Sequence, residues 1–185
     1  MGRANQFGKG DVAVVRGWKV SYVKPKHVAS VYRNKDFIMI ETSSGYTAFV
    51  RDPDGPVHIL DTNSDDETLG RCLVNALTNS RFITPQQREE YPLFFDFRLV
   101  GEQYKKKVEA LLARYGYKTK QSLFKTMILC NARVVDGVLS LGPTRHDKLE
   151  AWEGLGDDEK VVPPFDSSEV EIGAALRVAM DRCIP

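Results

Sequence analysis

Residues 69–77 read LGRCLVNAL and residues 172–180 read IGAALRVAM, and this pair of stretches decides the expected fold. A step of 103 positions along the chain superposes them and places Gly70 on Gly173. Each stretch carries apolar residues at i, i+3, i+4, i+7 and i+8, which is the pattern of a helix with one buried face. The sequence therefore predicts two related amphipathic helices.

A start signal precedes each predicted helix. Ser64 is followed three residues later by Glu67, and Ser168 is followed three residues later by Glu171. In such a capping box the Ser side chain accepts a hydrogen bond from the backbone N–H of the third helical residue, and the Glu side chain accepts one from the backbone N–H of the Ser. The two boxes lie 104 residues apart, so we expect the helices to begin one residue out of step with the repeat of their apolar faces.

Short runs with β-strand character precede both helices, and two further runs lie at 12–15 and 18–23. The runs before the helices are Phe37–Glu41, Tyr46–Arg51 and Val57–Asp61 in the first half, and Val138–Leu141, Lys148–Trp152 and Val161–Val162 in the second. Strands and helices do not alternate as they do in a doubly wound sheet. We predict an α+β protein with a mostly antiparallel sheet and helices on one face.

The predicted organisation is a single domain over residues 1–185. It contains two similar β-meander-plus-helix units, at about 30–81 and about 132–184, joined by a helical middle segment at about 82–128. A duplicated scaffold of this kind offers a surface for a partner at least as readily as an active site.

The middle segment and its end carry clear local signals. Apolar residues at helical spacing predict a helix from Tyr104 that ends at Gly116, with Lys105–Lys107 on its outer face. Asp136-Gly137 lies between β-branched residues, which predicts a hairpin with a two-residue turn.

The composition is that of a globular protein, with 42% hydrophobic and 28% charged residues and a formal net charge of +1. No apolar run approaches the roughly 18 residues of a membrane span, and the first ten residues lack the hydrophobic region of a secretory signal. Cys72, Cys130 and Cys183 are odd in number and widely spaced, unlike a disulfide framework. We expect a cytoplasmic protein with three buried thiols.

The charges are distributed unevenly along the chain. Residues 98–133 hold nine basic and two acidic side chains, a local charge of +7, whereas residues 146–185 hold four basic and ten acidic side chains, a local charge of −6. Each sector is suited to a partner of the opposite charge.

The basic segment 98–133 supports an alternative function, binding to nucleic acid. Its basic side chains are interspersed with Tyr104, Tyr115 and Tyr117, and such surfaces contact phosphates and stack on bases. The competing interpretation is the solvated face of an amphipathic helix whose tyrosines lie half in the core. The absence of a recognised nucleic-acid-binding motif favours this second interpretation.

The sequence contains no catalytic constellation. His27, His58 and His146 have no partner at a zinc-ligand spacing, so we expect no metal and no other cofactor. His146 beside Asp147 is the best single candidate for a general base, but no nucleophile accompanies it and a structural role is the competing interpretation. We therefore expect a protein that is not an enzyme.

Two acidic clusters support a sharper hypothesis. They are Asp65, Asp66 and Glu67 at the start of the first helix, and Asp157, Asp158 and Glu159 in the corresponding loop before the second. Carboxylates at a helix start interact favourably with the helix dipole, which is the structural interpretation. Carboxylates also complement the basic cleft in which a nuclease holds phosphates. We predict these six residues as candidate contacts with a protein partner.

Several strings within residues 8–183 resemble the immunity proteins of bacterial contact-dependent growth inhibition systems. They are Arg33–Phe37 with Ile40–Tyr46, the Asp-Pro-Asp-Gly-Pro turn at 52–56, Thr78–Phe82, Ser140–Gly154 and Glu171–Arg177. These strings belong to a scaffold rather than to a catalytic signature.

The resemblance implies a small cytoplasmic protein that binds the toxic C-terminal domain of a cell-surface exoprotein and so protects its own cell. We expect contact neither with a membrane nor, directly, with nucleic acid. The toxins of such systems are often nucleases, so a nuclease is the expected partner. Immunity proteins are typically specific to one toxin, and the resemblance does not fix which toxin this one binds.

Overall fold

The computed structural model describes residues 24–185, so the strands predicted at 12–15 and 18–23 lie outside the described residues. The strands are β1 (His27–Arg33), β2 (Ile38–Gly45), β3 (Phe49–Arg51), β4 (Val57–Leu60), β5 (Ile128–Val135), β6 (Val138–Lys148) and β7 (Ala151–Gly154). The helices are α1 (Asp66–Thr78), α2 (Phe97–Tyr115), α3 (Lys120–Phe124) and α4 (Glu169–Arg182), with 3-10 turns at Pro85–Gln87 and Pro92–Phe95.

The strands form one antiparallel sheet in the order β3-β2-β1-β5-β6-β7, and β4 pairs with β2 beside β3. The predicted α+β class with a mostly antiparallel sheet is thereby confirmed. At the centre of the sheet β1 pairs with β5, and Ala29 lies directly opposite Ala132. These two alanines are 103 residues apart, which is also the step that superposes the two helices.

Strand β2 contributes to two cores because its successive side chains point to opposite faces of the sheet. Ile38 and Ile40 pack in the core beneath α1 and α4, whereas Phe37 (just before β2) and Met39 pack in the core beneath α2 and α3. The expectation of helices on one face therefore holds for α1 and α4 only. The alternation of apolar residues on both faces of β2 is the physical reason for the second helical layer.

The helices α1 and α4 approach each other closely at two glycines. A Cβ atom on Gly70 would lie 1.7 Å from the carbonyl oxygen of Glu169, and one on Gly173 would lie 1.8 Å from the carbonyl oxygen of Asp66. Each glycine thus faces the backbone of the first turn of the other helix. Any side chain at either position would force the helices apart.

The predicted start of α1 is wrong by one residue, while that of α4 is confirmed. Asp65, not Ser64, caps α1, because its side chain accepts a hydrogen bond from the backbone N–H of Thr68. Ser168 and Glu171 form the expected capping box of α4. The two caps therefore also lie 103 residues apart.

Two other local predictions are confirmed and one is corrected. Helix α2 ends at Gly116, whose φ of 69° is left-handed, and the hairpin turn has positive φ at both Asp136 (52°) and Gly137 (76°). Helix α2 begins at Phe97 rather than at Tyr104, because the Asp96 side chain accepts hydrogen bonds from two backbone N–H groups of the first turn.

The predicted strand Lys148–Trp152 is wrong, because a turn interrupts it. Strand β6 runs to Lys148 and β7 begins at Ala151, and the pairing of the two strands shifts register between His146 and Lys148. The division into units at 30–81 and 132–184 with an insert at 82–128, and the single domain over 1–185, stay predictions. The three cysteines are buried free thiols, and none of the helices between residues 24 and 185 is long and apolar enough to cross a membrane.

Candidate functional site

The first acidic cluster forms the start of α1, where two of its three carboxylates have structural partners. The hydrogen bond from Thr68 to Asp65 holds the pKa of Asp65 below its usual value. Asp66 forms an ion pair with Arg177 of α4, with 2.8 Å between Oδ1 and Nε. Glu67 is exposed and has no ion pair within residues 24–185. Of this cluster, Glu67 is the side chain left available for a partner.

The second acidic cluster lies in the loop between β7 and α4. Asp157 pairs with Lys160, which lowers the pKa of Asp157, and the backbone carbonyl of Glu159 accepts a hydrogen bond from Arg182 at 2.8 Å. The carboxylates of Asp158 and Glu159 are exposed and make no ion pair in the described part of the chain. No hydrogen bond or ion pair between described residues joins the two clusters, so they occupy separate positions.

Some basic side chains of the segment 98–133 form ion pairs within the protein, which the sequence does not indicate. Lys107, predicted on the outer face of α2, points inward, and its side chain is 14% exposed. Its Nζ atom lies 2.9 Å from the carboxylate of Glu41 in β2. Lys120 pairs with Glu150 at 3.1 Å, and Glu150 also accepts a hydrogen bond from Tyr104 at 2.6 Å. Part of the positive charge is therefore neutralised within the protein.

The other two tyrosines of this segment are also held by intramolecular contacts. The ring of Tyr115 stacks on Phe37, with 4.6 Å between ring centroids. Tyr117 donates a hydrogen bond to Asp36, and burial together with this bond raises the pKa of Tyr117 to about 12. Because the tyrosines are engaged in this way, the geometry favours the structural interpretation of the segment over base stacking.

The histidines have structural contacts rather than a catalytic arrangement. The ring of His146 stacks on Trp152 at 5.0 Å, and its Nε2 atom lies 3.1 Å from the carbonyl oxygen of Leu149. The other two bond to Ser80 (His27, 3.0 Å) and to Asn75 (His58, 2.9 Å). Residues 24–185 contain no group of three or more His, Cys, Asp or Glu residues that could hold a metal ion.

Sequence reasoning missed a buried ionic cluster between α2 and the sheet. It lines a cavity of about 230 Å³. The Glu41 side chain is 3% exposed, and its carboxylate lies 2.9 Å from Nζ of Lys107 and 3.9 Å from Nε of Arg51. The ammonium group of Lys107 also lies 5.0 Å from the ring centroid of Tyr32, within cation–π range. The cavity wall thus carries two cationic side chains, Lys107 and Arg51, and one carboxylate, Glu41.

A second buried ionic contact holds the Pro-rich turn at 52–56. Asp52 is 1% exposed and accepts hydrogen bonds from Arg81 at 2.8 and 2.5 Å and from Ser44 at 2.6 Å. Burial acts to raise the pKa of Asp52, but these hydrogen bonds outweigh it and lower the pKa. The guanidinium of Arg81 also lies 5.0 Å from the centroid of the Tyr91 ring. This contact joins the turn to the aromatic segment before α2.

Comparison with known proteins places the whole fold in a known context. The family described as CDI immunity protein matches residues 27–183. The immunity protein CdiI-YPIII of Yersinia pseudotuberculosis serotype O:3 (strain YPIII) is 39% identical over 166 residues, which is 84% of this chain and 94% of that protein.

Two solved structures share the fold. A protein of unknown function from Neisseria meningitidis, NMB0488, is 36% identical, with a TM-score of 0.81 over 88% of this chain and 98% of that one. A chain of the CdiA-CT/CdiI toxin and immunity complex from Yersinia pseudotuberculosis is 38% identical, with a TM-score of 0.80 over 86% of this chain and 98% of that one.

Proposed function

Because this chain belongs to the CDI immunity protein family, where CDI is contact-dependent growth inhibition, we propose that it binds and neutralises the toxic C-terminal domain of a cognate exoprotein. The observation that carries the proposal is the likeness to a chain of a toxin and immunity complex, which extends over 86% of this chain. A shared fold alone does not imply a shared function, but sequence identity at this level over the whole scaffold supports it.

The inhibitor acts by binding and not by catalysis, and it acts in the cytoplasm of the cell that it protects. In support, one ring nitrogen of each of His27, His58 and His146 has a protein partner, and the ring of His146 is stacked on Trp152. A general base must instead reach the proton that it removes from a substrate.

The toxin surface that it contacts is basic, as in a nuclease that holds phosphates. The six predicted acidic residues divide by role. Asp65, Asp66 and Asp157 have partners within the protein, whereas Glu67, Asp158 and Glu159 present exposed carboxylates. Charges of this kind steer encounter and raise the association rate more than they raise affinity.

A binding titration against the cognate toxin domain, with toxin activity followed in parallel, tests the function. We expect tight binding with loss of activity. The double variant Glu67→Lys/Asp158→Lys should slow association several-fold or more, an effect that weakens as salt is raised. Absence of binding by the wild-type protein would refute the function.

The matched control reverses two exposed carboxylates elsewhere, Glu89→Lys/Asp147→Lys, with the same change in net charge. If this control slows association as much as the variant at Glu67 and Asp158, net charge rather than those carboxylates governs encounter, and the acidic contact is refuted. A titration of the wild-type protein with RNA and DNA tests the alternative function. Binding to either that weakens steeply with salt would favour it.

A further inference from the structure

Within residues 24–185, the sheet face that α2 and α3 cover in the first half of the chain is left uncovered in the second half. A step of 103 residues takes Tyr32 to Val135, Phe37 to Ser140 and Met39 to Gly142. The first residue of each pair packs in the core beneath α2 and α3. The second residue of each pair lines an open groove of about 510 Å³. The groove thus has the same position in the second half of the chain as the face covered by α2 and α3 has in the first half.

Small and polar side chains form the floor of this groove. Asn131 and Gly142 are paired across β5 and β6, as are Arg133 and Ser140, and Asn131 and Arg133 are exposed. A Cβ atom on Gly142 would lie 3.7 Å from the carbonyl oxygen of Asn131, an ordinary contact distance, so a small side chain would fit on the floor at this position. None of the residues that line the groove belongs to a helix of residues 24–185.

The charges of the groove do not balance. Asp157 and Lys160 line it and pair with each other. Arg133 has no hydrogen bond or ion pair with any other described residue, and its guanidinium stands on the open sheet. One wall is the loop that also carries the exposed carboxylates of Asp158 and Glu159. The groove therefore offers one cation on its floor and acidic side chains beside it.

We propose that this groove seats a segment of the toxin domain that places a carboxylate against Arg133 and basic side chains against the loop of Asp158 and Glu159. The inference rests on the proposed function and names the chemistry of the contact. A planar guanidinium binds a carboxylate through two parallel hydrogen bonds, which an ammonium group cannot do. Enclosure in the groove excludes water from this pair, and such pairs fix partner choice as well as affinity.

Arg133→Glu tests the proposal in a titration of the full chain with the cognate toxin domain. We expect the affinity to fall by about 30-fold or more, because a carboxylate enclosed in the groove would face a like charge. Arg133→Lys should lose affinity less, since it keeps the charge but not the paired hydrogen bonds. Thermal unfolding of both variants should match the wild-type protein, because Arg133 has no described partner.

The matched control is Lys106→Glu, which makes the same charge change at an exposed lysine of α2 without an ion pair among described residues. It should change the affinity by less than about three-fold. If the wild-type protein binds the toxin domain and Arg133→Glu changes the affinity no more than this control, the toxin does not bind in the groove. The proposed function then still stands. If the wild-type protein does not bind the toxin, the function itself fails.

Two further outcomes separate the occupants of the groove. A toxin variant with one carboxylate replaced by arginine should restore affinity for Arg133→Glu, and this charge swap would identify the partner residue. A wild-type dimer that Arg133→Glu dissociates, with toxin affinity unchanged, would assign the groove to a second copy of the chain and overturn the proposal.

Discussion

The close approach of α1 and α4 makes Gly70→Ala a sharp test of the structure. In the wild-type protein, a Cβ atom on Gly70 would lie 1.7 Å from the carbonyl oxygen of Glu169, where ordinary contacts begin at 3.4 Å. The two helices would have to separate by roughly 1.5 Å to accept the methyl group, in a close-packed core that resists such shifts.

The expected loss follows from two opposing effects. Overpacking of a core costs about 1–3 kcal/mol, and a shift of helix backbones places this site at the upper end. Alanine in place of a helical glycine gains back about 1 kcal/mol of helix propensity. The free energy of unfolding should therefore fall by about 2 kcal/mol, which lowers the Tm by about 4–8 °C for a chain of this length.

Urea unfolding followed by circular dichroism measures the effect, and the chain supplies its own control. Gly101 lies within α2 with no atom within 4 Å of a Cβ built on it, so Gly101→Ala should be neutral or stabilising by up to about 1 kcal/mol. The double variant Gly70→Ala/Gly173→Ala should cost little more than one substitution, because one separation of the helices accommodates both methyl groups. Equal stability of Gly70→Ala and Gly101→Ala would refute the reasoning.

Three further outcomes follow from buried or capping contacts. Lys107→Met should lower the free energy of unfolding by about 3 kcal/mol, because the buried Glu41 carboxylate then keeps only the Arg51 guanidinium, 3.9 Å away, as an ion-pair partner. The double variant Lys107→Met/Glu41→Leu should recover at least half of this loss in the same urea assay. The lowered pKa of Asp52 means that its contribution to stability is present above about pH 4 and is lost as the pH falls further, so Asp52→Asn should destabilise the protein at pH 7 more than at pH 3. Asp65→Ala should lower the Tm and Ser64→Ala should not, since Asp65 accepts the capping hydrogen bond; the reverse result would restore the predicted capping box.

The elements with local signals could be predicted from the sequence. The apolar faces of α1 and α4, the Asp136-Gly137 turn and the end of α2 at Gly116 depend on side chains within a few residues of each other. The family resemblance also depended on such strings, and it is confirmed.

The contacts that could not be predicted join distant parts of the chain. Glu41 and Lys107 are far apart in sequence, so no local pattern indicates their ion pair. A closer reading of helical spacing does find the inward side of Lys107, because it lies four residues before the buried Leu111 on the same helix face. The start of α1 was misplaced because Ser64 and Asp65 are both good caps, and only the backbone geometry decides between them.

The central pairing of β1 with β5 has a consequence for the synthesis of the protein. The two strands flank a long stretch of chain, so the sheet cannot close until β5 has left the ribosome. The apolar face of α1 packs against α4, and α4 is translated after every other described helix. Until α4 has been synthesised, the core beneath α1 and α4 is therefore incomplete, whereas the buried residues of the core beneath α2 and α3, at 37–127, all precede β5 in the chain.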